Sequence, residues 1–299
     1  MIPQRRKNFA KEKKTVFTVK EADTLFNFVF AKMSSMSKTA VKSLLANRQI
    51  MVNDNFESKF DFPLKPGDRI LVYCTSHKAK FTHSKVKIIH EDDHIIVIDK
   101  AAGLLSVATD KKEDLTAYKI IQGYVKKQNF QNQIFTVHRI DRETSGVLVF
   151  AKSKEVQELL QRDWQHKSHE RIYYAIVEGY VEQDNGTITT WLTEDWKSKK
   201  VYSSDIENGG LKAVTHYEVI ERNNGYSMLK VQLETGRKNQ IRVHMQSIGH
   251  PIIGDKKYGS KINPLGRIGL HASVLGFYHP VTGKFARFES PIPKYFKLK

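Results

Sequence analysis

Two short stretches carry side chains whose types and spacing could do chemistry. His90-Glu91-Asp92-Asp93-His94 fits H-E-x-x-H, in which two histidines four apart on a helix hold zinc and the glutamate acts as general base. That chemistry needs a helix, so that both rings project from one face. Val86, Ile88 and Ile89 precede the segment and Ile95, Ile96, Val97 and Ile98 follow it, β-branched runs that predict a polar turn between two strands. No metal is expected there. The second stretch, His138-Arg139-Ile140-Asp141-Arg142-Glu143-Thr144-Ser145-Gly146, sets a carboxylate among cations, between Phe135-Thr136-Val137 and a strand beginning at Val147. Taken alone, Asp141, Thr144, Ser145 and Gly146 are turn formers that bond their own backbone. The stretch also approaches the kinase H-R-D pattern, but Ile140 separates Arg139 from Asp141, and neither a glycine-rich phosphate loop nor D-F-G accompanies it.

The elements that must position these residues are mostly strands: Val86 to Ile89, Ile95 to Ile98, Val147 to Phe150, Tyr173 to Val177, Val214 to Ile220 and Met228 to Leu233. One helix is predicted from Ser153 to about His166, with Val156, Leu159, Leu160 and Trp164 on a stripe. Another is bracketed by Thr235-Gly236 and Gly249, with Ile241, Met245 and Ile248 facing the core. The order is not a steady βαβ alternation, so the expected class is α+β, with a mixed, largely antiparallel sheet and flanking helices. Upstream, Leu25, Phe26, Val29 and Phe30 repeat at helical spacing, and Ser37 caps a second helix carrying Val41, Leu44 and Leu45. Strands at Ile50 to Val52 and Ile70 to Tyr73, with turns at Asn53-Asp54-Asn55 and Pro66-Gly67-Asp68, complete a small α+β unit. The expected organisation is a basic tail over 1–14, this small domain over 15–75, a polar linker over 76–85 and a larger domain over 86–299.

Composition bounds what such a chain binds. Lys and Arg number 49 against 32 Asp and Glu, for a net charge of +17 and a pI near 9.7, the footprint of a polyanion binder. Charge alone does not separate RNA from DNA, heparin or anionic lipid. The single cysteine, Cys74, can form neither an internal disulfide nor a thiolate metal site, which fits a reducing, cytoplasmic setting. No stretch approaches the ~18 apolar residues of a membrane span, and a soluble monomer is expected.

The segment 138–146 resembles the H-R-L-D-x-x-T-S-G motif of the RluA-type family of pseudouridine synthases, with Ile140 for Leu. Further blocks agree in order. They are Glu91-Asp92-Asp93 through Lys100 and Gly103-Leu104-Leu105, Arg171-Ile172-Tyr173 through Gly179, and Thr235-Gly236-Arg237 through His244. A closing run, Gly249-His250-Pro251-Ile252-Ile253-Gly254-Asp255-Lys256-Lys257-Tyr258-Gly259, follows them. Residues 15–75 resemble the S-four-type RNA-binding domain that precedes many members, although the usual R-L-D opening is absent and Asp23-Thr24-Leu25 stands near it.

This resemblance implies an isomerase that needs no cofactor and turns uridine into pseudouridine in folded RNA, ribosomal RNA of the large subunit favoured over transfer RNA. Asp141 is the implied catalytic carboxylate, whether it attacks the anomeric carbon or stabilises or deprotonates the sugar. Arg242 is its implied cationic partner, and Tyr173 the tyrosine that packs on uracil and is a candidate for handling the carbon-five proton. Arg139 is expected to fill the space of the extruded uridine, and His138 and Arg142 to contact RNA beside it. Lys38 and Lys42, one helical turn apart, suit successive phosphates. Ala101 stands where the family usually has Pro, and Asn239 where many members have His, departures that bear on substrate subtype. Two other functions fit the composition: a non-catalytic RNA-binding ribosome-assembly factor, and a carboxylate enzyme such as a nucleosidase.

Overall fold

The computed structural model describes residues 14–34, 36–73, 81–108, 115–128, 131–164, 170–223 and 225–296. The basic tail through residue 13, Cys74, linker residues 76–80 and the end of the helix predicted to reach His166 lie outside them. Packing divides the chain into two compact units, Met1–Phe81 with Gly123–Asn132 and Thr82–Gln122 with Gln133–Lys299. Residues 123–132, assigned from sequence to the larger domain, thus group with the smaller unit.

In the smaller unit a four-stranded antiparallel sheet runs in the order Lys14–Thr18, Arg69–Tyr73, Ile50–Val52, Asn55–Phe56. Asn53 and Asp54 take positive φ, 48° and 67°, as the two-residue turn between the last two strands demands. Helix Lys38–Ala46 begins where Ser37 accepts the N–H of Ala40 at 3.2 Å and turns Val41, Leu44 and Leu45 into the core. Helix Leu25–Lys32 buries Leu25, Phe28 and Val29, whereas Phe26 and Phe30 are only partly buried and stack on each other at 6.0 Å. The strand Lys14–Thr18 escaped sequence reading because it is an edge strand, exposed along most of its length, so no apolar alternation marks it.

The larger unit is an α+β structure around one eleven-stranded sheet. Its main path runs Val201–Ser204, Asn185–Glu194, Leu211–Asn223, Tyr226–Leu233, Glu170–Glu178, Leu270–Tyr278, Ser145–Ala151, Ile95–Lys100, Val86–Glu91. Every ladder is antiparallel except Ser145–Ala151 against Leu270–Tyr278, which pair in parallel at Ser145 with His271 and Gly146 with Ala272. Gly146 is indispensable at that junction. Its φ is +115°, and a Cβ there would lie 2.0 Å from the Ala272 carbonyl oxygen. Helix Gln240–Ser247 packs Ile241 and Met245 against Ala175, Val177, Leu229 and Val231 of the sheet. Helix Lys154–Asp163, capped by Ser153, lays Val156 and Leu160 over Val147 and Val149. No helix among the described residues is long and apolar enough to cross a membrane.

Candidate active site

Asp141 sits one turn before the buried strand Ser145–Ala151, and its loop is pinned on three sides. The Ser106 hydroxyl donates to the Ile140 carbonyl at 2.7 Å and accepts the Ile140 N–H at 3.3 Å, fixing the residue before the carboxylate. Lys100 is fully buried, and its Nζ donates to the carbonyls of Leu104 (2.7 Å), Ala101 (3.0 Å) and Arg142 (3.2 Å). Burial, reinforced by Arg267, depresses its pKa to about 7, and the three carbonyls are the acceptors that hold the protonated form. Arg267 donates to the Glu143 carbonyl at 3.1 Å and the Ser145 hydroxyl at 3.0 Å. Ala101 uses its N–H, donated to the Lys85 carbonyl at 2.9 Å, a bond that proline at this position could not make.

Arg242 reaches the loop from helix Gln240–Ser247. The helix starts later than the sequence suggests, because Gln240 turns back on the preceding residues: its Oε1 accepts the Arg237 N–H (2.9 Å) and the Thr235 hydroxyl (2.8 Å). Residues 235–239 are therefore a turn, with Asn239 left-handed at φ 54°. Arg242 Nη1 donates to Asp141 Oδ2 at 3.1 Å, while Nε and Nη2 form a two-point pair with Asp255 at 2.6 and 2.8 Å. Burial alone would lower the arginine pKa, but the bonds and charge of Asp255, with those of Asp141, hold it above its ordinary value. Asn239 Oδ1 accepts from the same Nη1 at 3.2 Å and its amide donates to the Tyr258 hydroxyl at 3.0 Å. The guanidinium carbon lies 4.9 Å from the centroid of the Tyr258 ring. One cation is thus shared by two carboxylates, of which Asp255 is shut away from solvent and Asp141 is partly open.

A pocket of about 230 Å³ opens over Asp141, lined by Arg139, Tyr173, Lys238, Asn239 and Arg242 among others. Arg242 engages Oδ2, and no described residue donates to Oδ1 of Asp141. Tyr173 rises from the central strand Glu170–Glu178; burial pushes its pKa up to about 12, partly opposed by Arg171 and reinforced by Asp141. Arg139 is exposed at the rim. His138 turns inward: its Nε2 accepts the Val149 N–H at 3.2 Å and its ring lies 4.4 Å from Trp164. Arg142 is exposed and outside the pocket, donating to the Gly103 carbonyl at 3.3 Å. Lys38 and Lys42 are exposed on the smaller unit, with Lys38 Nζ 5.8 Å from the Phe30 ring centroid.

His90 and His94 are not on a helix. His90 is the penultimate residue of the strand Val86–Glu91, and Asp92 organises the turn, accepting the N–H groups of His94 and Ile95 at 2.8 Å each and bonding the His90 ring at 2.8 Å. Burial pushes the Asp92 pKa up, but those bonds outweigh it and bring the carboxyl down to about 2. Sequence reading left Asp255, Tyr258, Ser106 and Arg267 without roles. The first two lay in the G-D-x-x-Y-G run, while Ser106 and Arg267 carried no local signal.

A family model described as RNA pseudouridylate synthase matches residues 94–247. An RNA pseudouridine synthase of Bacillus subtilis (strain 168) is 32% identical over 281 residues, covering 92% of each chain. Ribosomal large subunit pseudouridine synthase D of Neisseria meningitidis serogroup B is 32% identical over 287 residues, 89% of this chain and 75% of that one. The dual-specificity RNA pseudouridine synthase of Vibrio vulnificus is 38% identical over 201 residues, 65% of this chain and 78% of that one. Among solved structures, human RNA pseudouridylate synthase domain containing 4 superposes with a TM-score of 0.59 at 23% identity, covering 70% of this chain and 89% of the other, a likeness of fold.

Proposed function

The chain belongs to the RNA pseudouridylate synthase family, and from that premise we propose that it modifies large-subunit ribosomal RNA with Asp141 as the carboxylate of the reaction. The activity is an isomerisation: the bond from C1′ to N1 breaks, the uracil turns, C1′ joins C5, and the C5 proton is lost as N1 gains one. No electrons are exchanged with a second molecule. The observation that carries the assignment of Asp141 is its ion pair with Arg242 at the floor of a pocket also lined by Tyr173. Held by one oxygen, the carboxylate keeps Oδ1 turned to no protein donor among the described residues, available to the sugar as nucleophile or base.

Tyr173 contributes its ring and a neutral hydroxyl. Burial pushes its pKa up to about 12, so the hydroxyl is protonated at pH 7. Arg139, exposed at the rim, fits the space left by an extruded uridine, at a flipping cost of a few kcal/mol. Lys38 and Lys42 in the smaller unit, and Arg142 beside the pocket loop, supply phosphate contacts; His138 supports the loop from beneath. The enzyme acts as a cytoplasmic monomer. The name of the Neisseria relative supports the ribosomal substrate, and that of the Vibrio relative leaves room for a second RNA. Mapping pseudouridines in ribosomal and transfer RNA from cells with and without the gene tests this. Loss of one or more large-subunit positions is expected, and an unchanged ribosomal map with a changed transfer RNA map would overturn the substrate assignment.

A further inference from the structure

Beside the pocket mouth lies a surface that the ion pair does not use. The strands Asn185–Glu194 and Val201–Ser204 are joined by a turn that is internally fixed. Asp195 Oδ1 accepts both the backbone N–H and the hydroxyl of Ser198 at 2.7 Å, and the Lys199 N–H donates to the Asp195 carbonyl at 2.9 Å. On this turn Trp196 is 71% exposed, and Tyr202 on the strand after it is 52% exposed. Large rings held in water on ordered backbone mark a surface that meets a partner.

The surroundings indicate the partner's charge. Lys197 Nζ lies 5.4 Å from the Trp196 ring and Lys200 Nζ 5.4 Å from the Tyr202 ring, while Lys257 Nζ donates to the Lys199 carbonyl at 2.6 Å. Burial, together with the charges of Arg242 and Lys238, pushes the Lys257 ammonium down, a crowding of positive charge that an anion relieves. The turn is also tied to the active-site pocket. Glu194 pairs with Lys238, which lines that pocket, and the Tyr258 hydroxyl accepts both the Val201 N–H at 3.2 Å and the Asn239 amide at 3.0 Å.

We propose that the 195–202 turn docks an unpaired stretch of the RNA strand flanking the target uridine, with bases stacked on Trp196 and Tyr202 and phosphates on the neighbouring lysines. This rests on the reading of the pocket as the uridine site. Alternating rings and cations track single strands, because every base has a stacking face whereas a paired stem hides its own. The substrate uridine therefore lies within a few nucleotides of unpaired RNA.

The full-length protein is titrated with a 20-nucleotide oligouridylate and, separately, with a blunt RNA duplex of mixed sequence. Trp196→Leu should weaken oligouridylate binding by about five- to 150-fold, and Trp196→Tyr should recover most of it, with duplex binding changed less than twofold. Lys197→Gln should reduce the salt slope for oligouridylate by about 0.7, one phosphate contact. Wild-type affinity for oligouridylate in the leucine variant, or an equal loss for duplex, would overturn the proposal; the first result would mark the turn as a protein-docking surface. Failure of the ribosomal assignment is separable: it would leave the Trp196 effect intact while the ribosomal pseudouridine map stayed unchanged.

Discussion

Replacing Asp255 by Asn removes the charge that holds two of the three guanidinium nitrogens of Arg242, without altering Asp141 itself. Both partners are nearly dry, the Asp255 side chain 1% and the Arg242 side chain 11% exposed, so solvent cannot compensate. Removing one member of such a buried pair costs about 3 to 5 kcal/mol. Asparagine retains one acceptor but turns an N–H toward the guanidinium, so about 3 kcal/mol is expected. For a unit of this size that lowers Tm by roughly 6 to 12 °C. Arg242 would then keep at most one bond at position 255, beside those to Asp141 and Asn239 and its contact with the Tyr258 ring. A displacement of about 1 Å at a reacting group costs on the order of 10²-fold in rate. Calorimetry gives the first number, and single-turnover tritium release from carbon-five-labelled RNA, at a temperature where circular dichroism shows the variant folded, gives the second. A Tm within 2 °C of wild type together with a rate within threefold would refute the claim that Asp255 positions Arg242.

Other consequences are as open to test. His244 is fully buried between Thr190 and Thr215, and burial pushes its pKa from 6.5 to about 4. The unfolded chain therefore takes up this proton first, so up to about 3 kcal/mol of stability, complete above pH 6.5, drains away as pH falls toward 4. Thermal melts across that window should be flatter for His244→Gln, and equal slopes would refute this. Tyr173→Phe should keep the single-turnover rate within a few-fold whereas Tyr173→Ala should collapse it; a phenylalanine variant that binds RNA but does not turn over would assign proton transfer to the hydroxyl. Lys38→Gln with Lys42→Gln should reduce the salt dependence of RNA binding by one to two phosphate contacts, read as the slope of log Kd against log salt, while an unchanged slope would remove these lysines from the interface.

The strands and the α+β class were legible because β-branched runs such as Ile95 to Ile98 are buried on both faces of the sheet and bounded by turn residues. The same logic separated His90 and His94 from a zinc helix. Asp141 could be picked out only because a nine-residue motif carried it, since a loop aspartate has no period. What stayed hidden was tertiary. Nothing near Arg242 says that a residue thirteen positions on closes its other edge, or that Ser106 and Lys100 reach across to the carboxylate loop. The start of the Arg242 helix was misplaced by several residues, because a side chain, Gln240, supplies hydrogen bonds that a further helical turn would otherwise have made. His138 was read as an RNA contact from its place in the motif, and its inward hydrogen bond to Val149 depends on a strand pairing that no local pattern encodes.

The central claim is that Asp141 carries the reaction, and Asp141→Asn isolates it by keeping the shape and removing the charge. Single-turnover tritium release from RNA labelled at carbon five of uridine reads completion of the new carbon bond, and binding of the same RNA is measured in parallel. The account predicts release at background with RNA affinity near wild type. Substantial release by the Asn variant, with contaminating wild-type enzyme excluded, would contradict it.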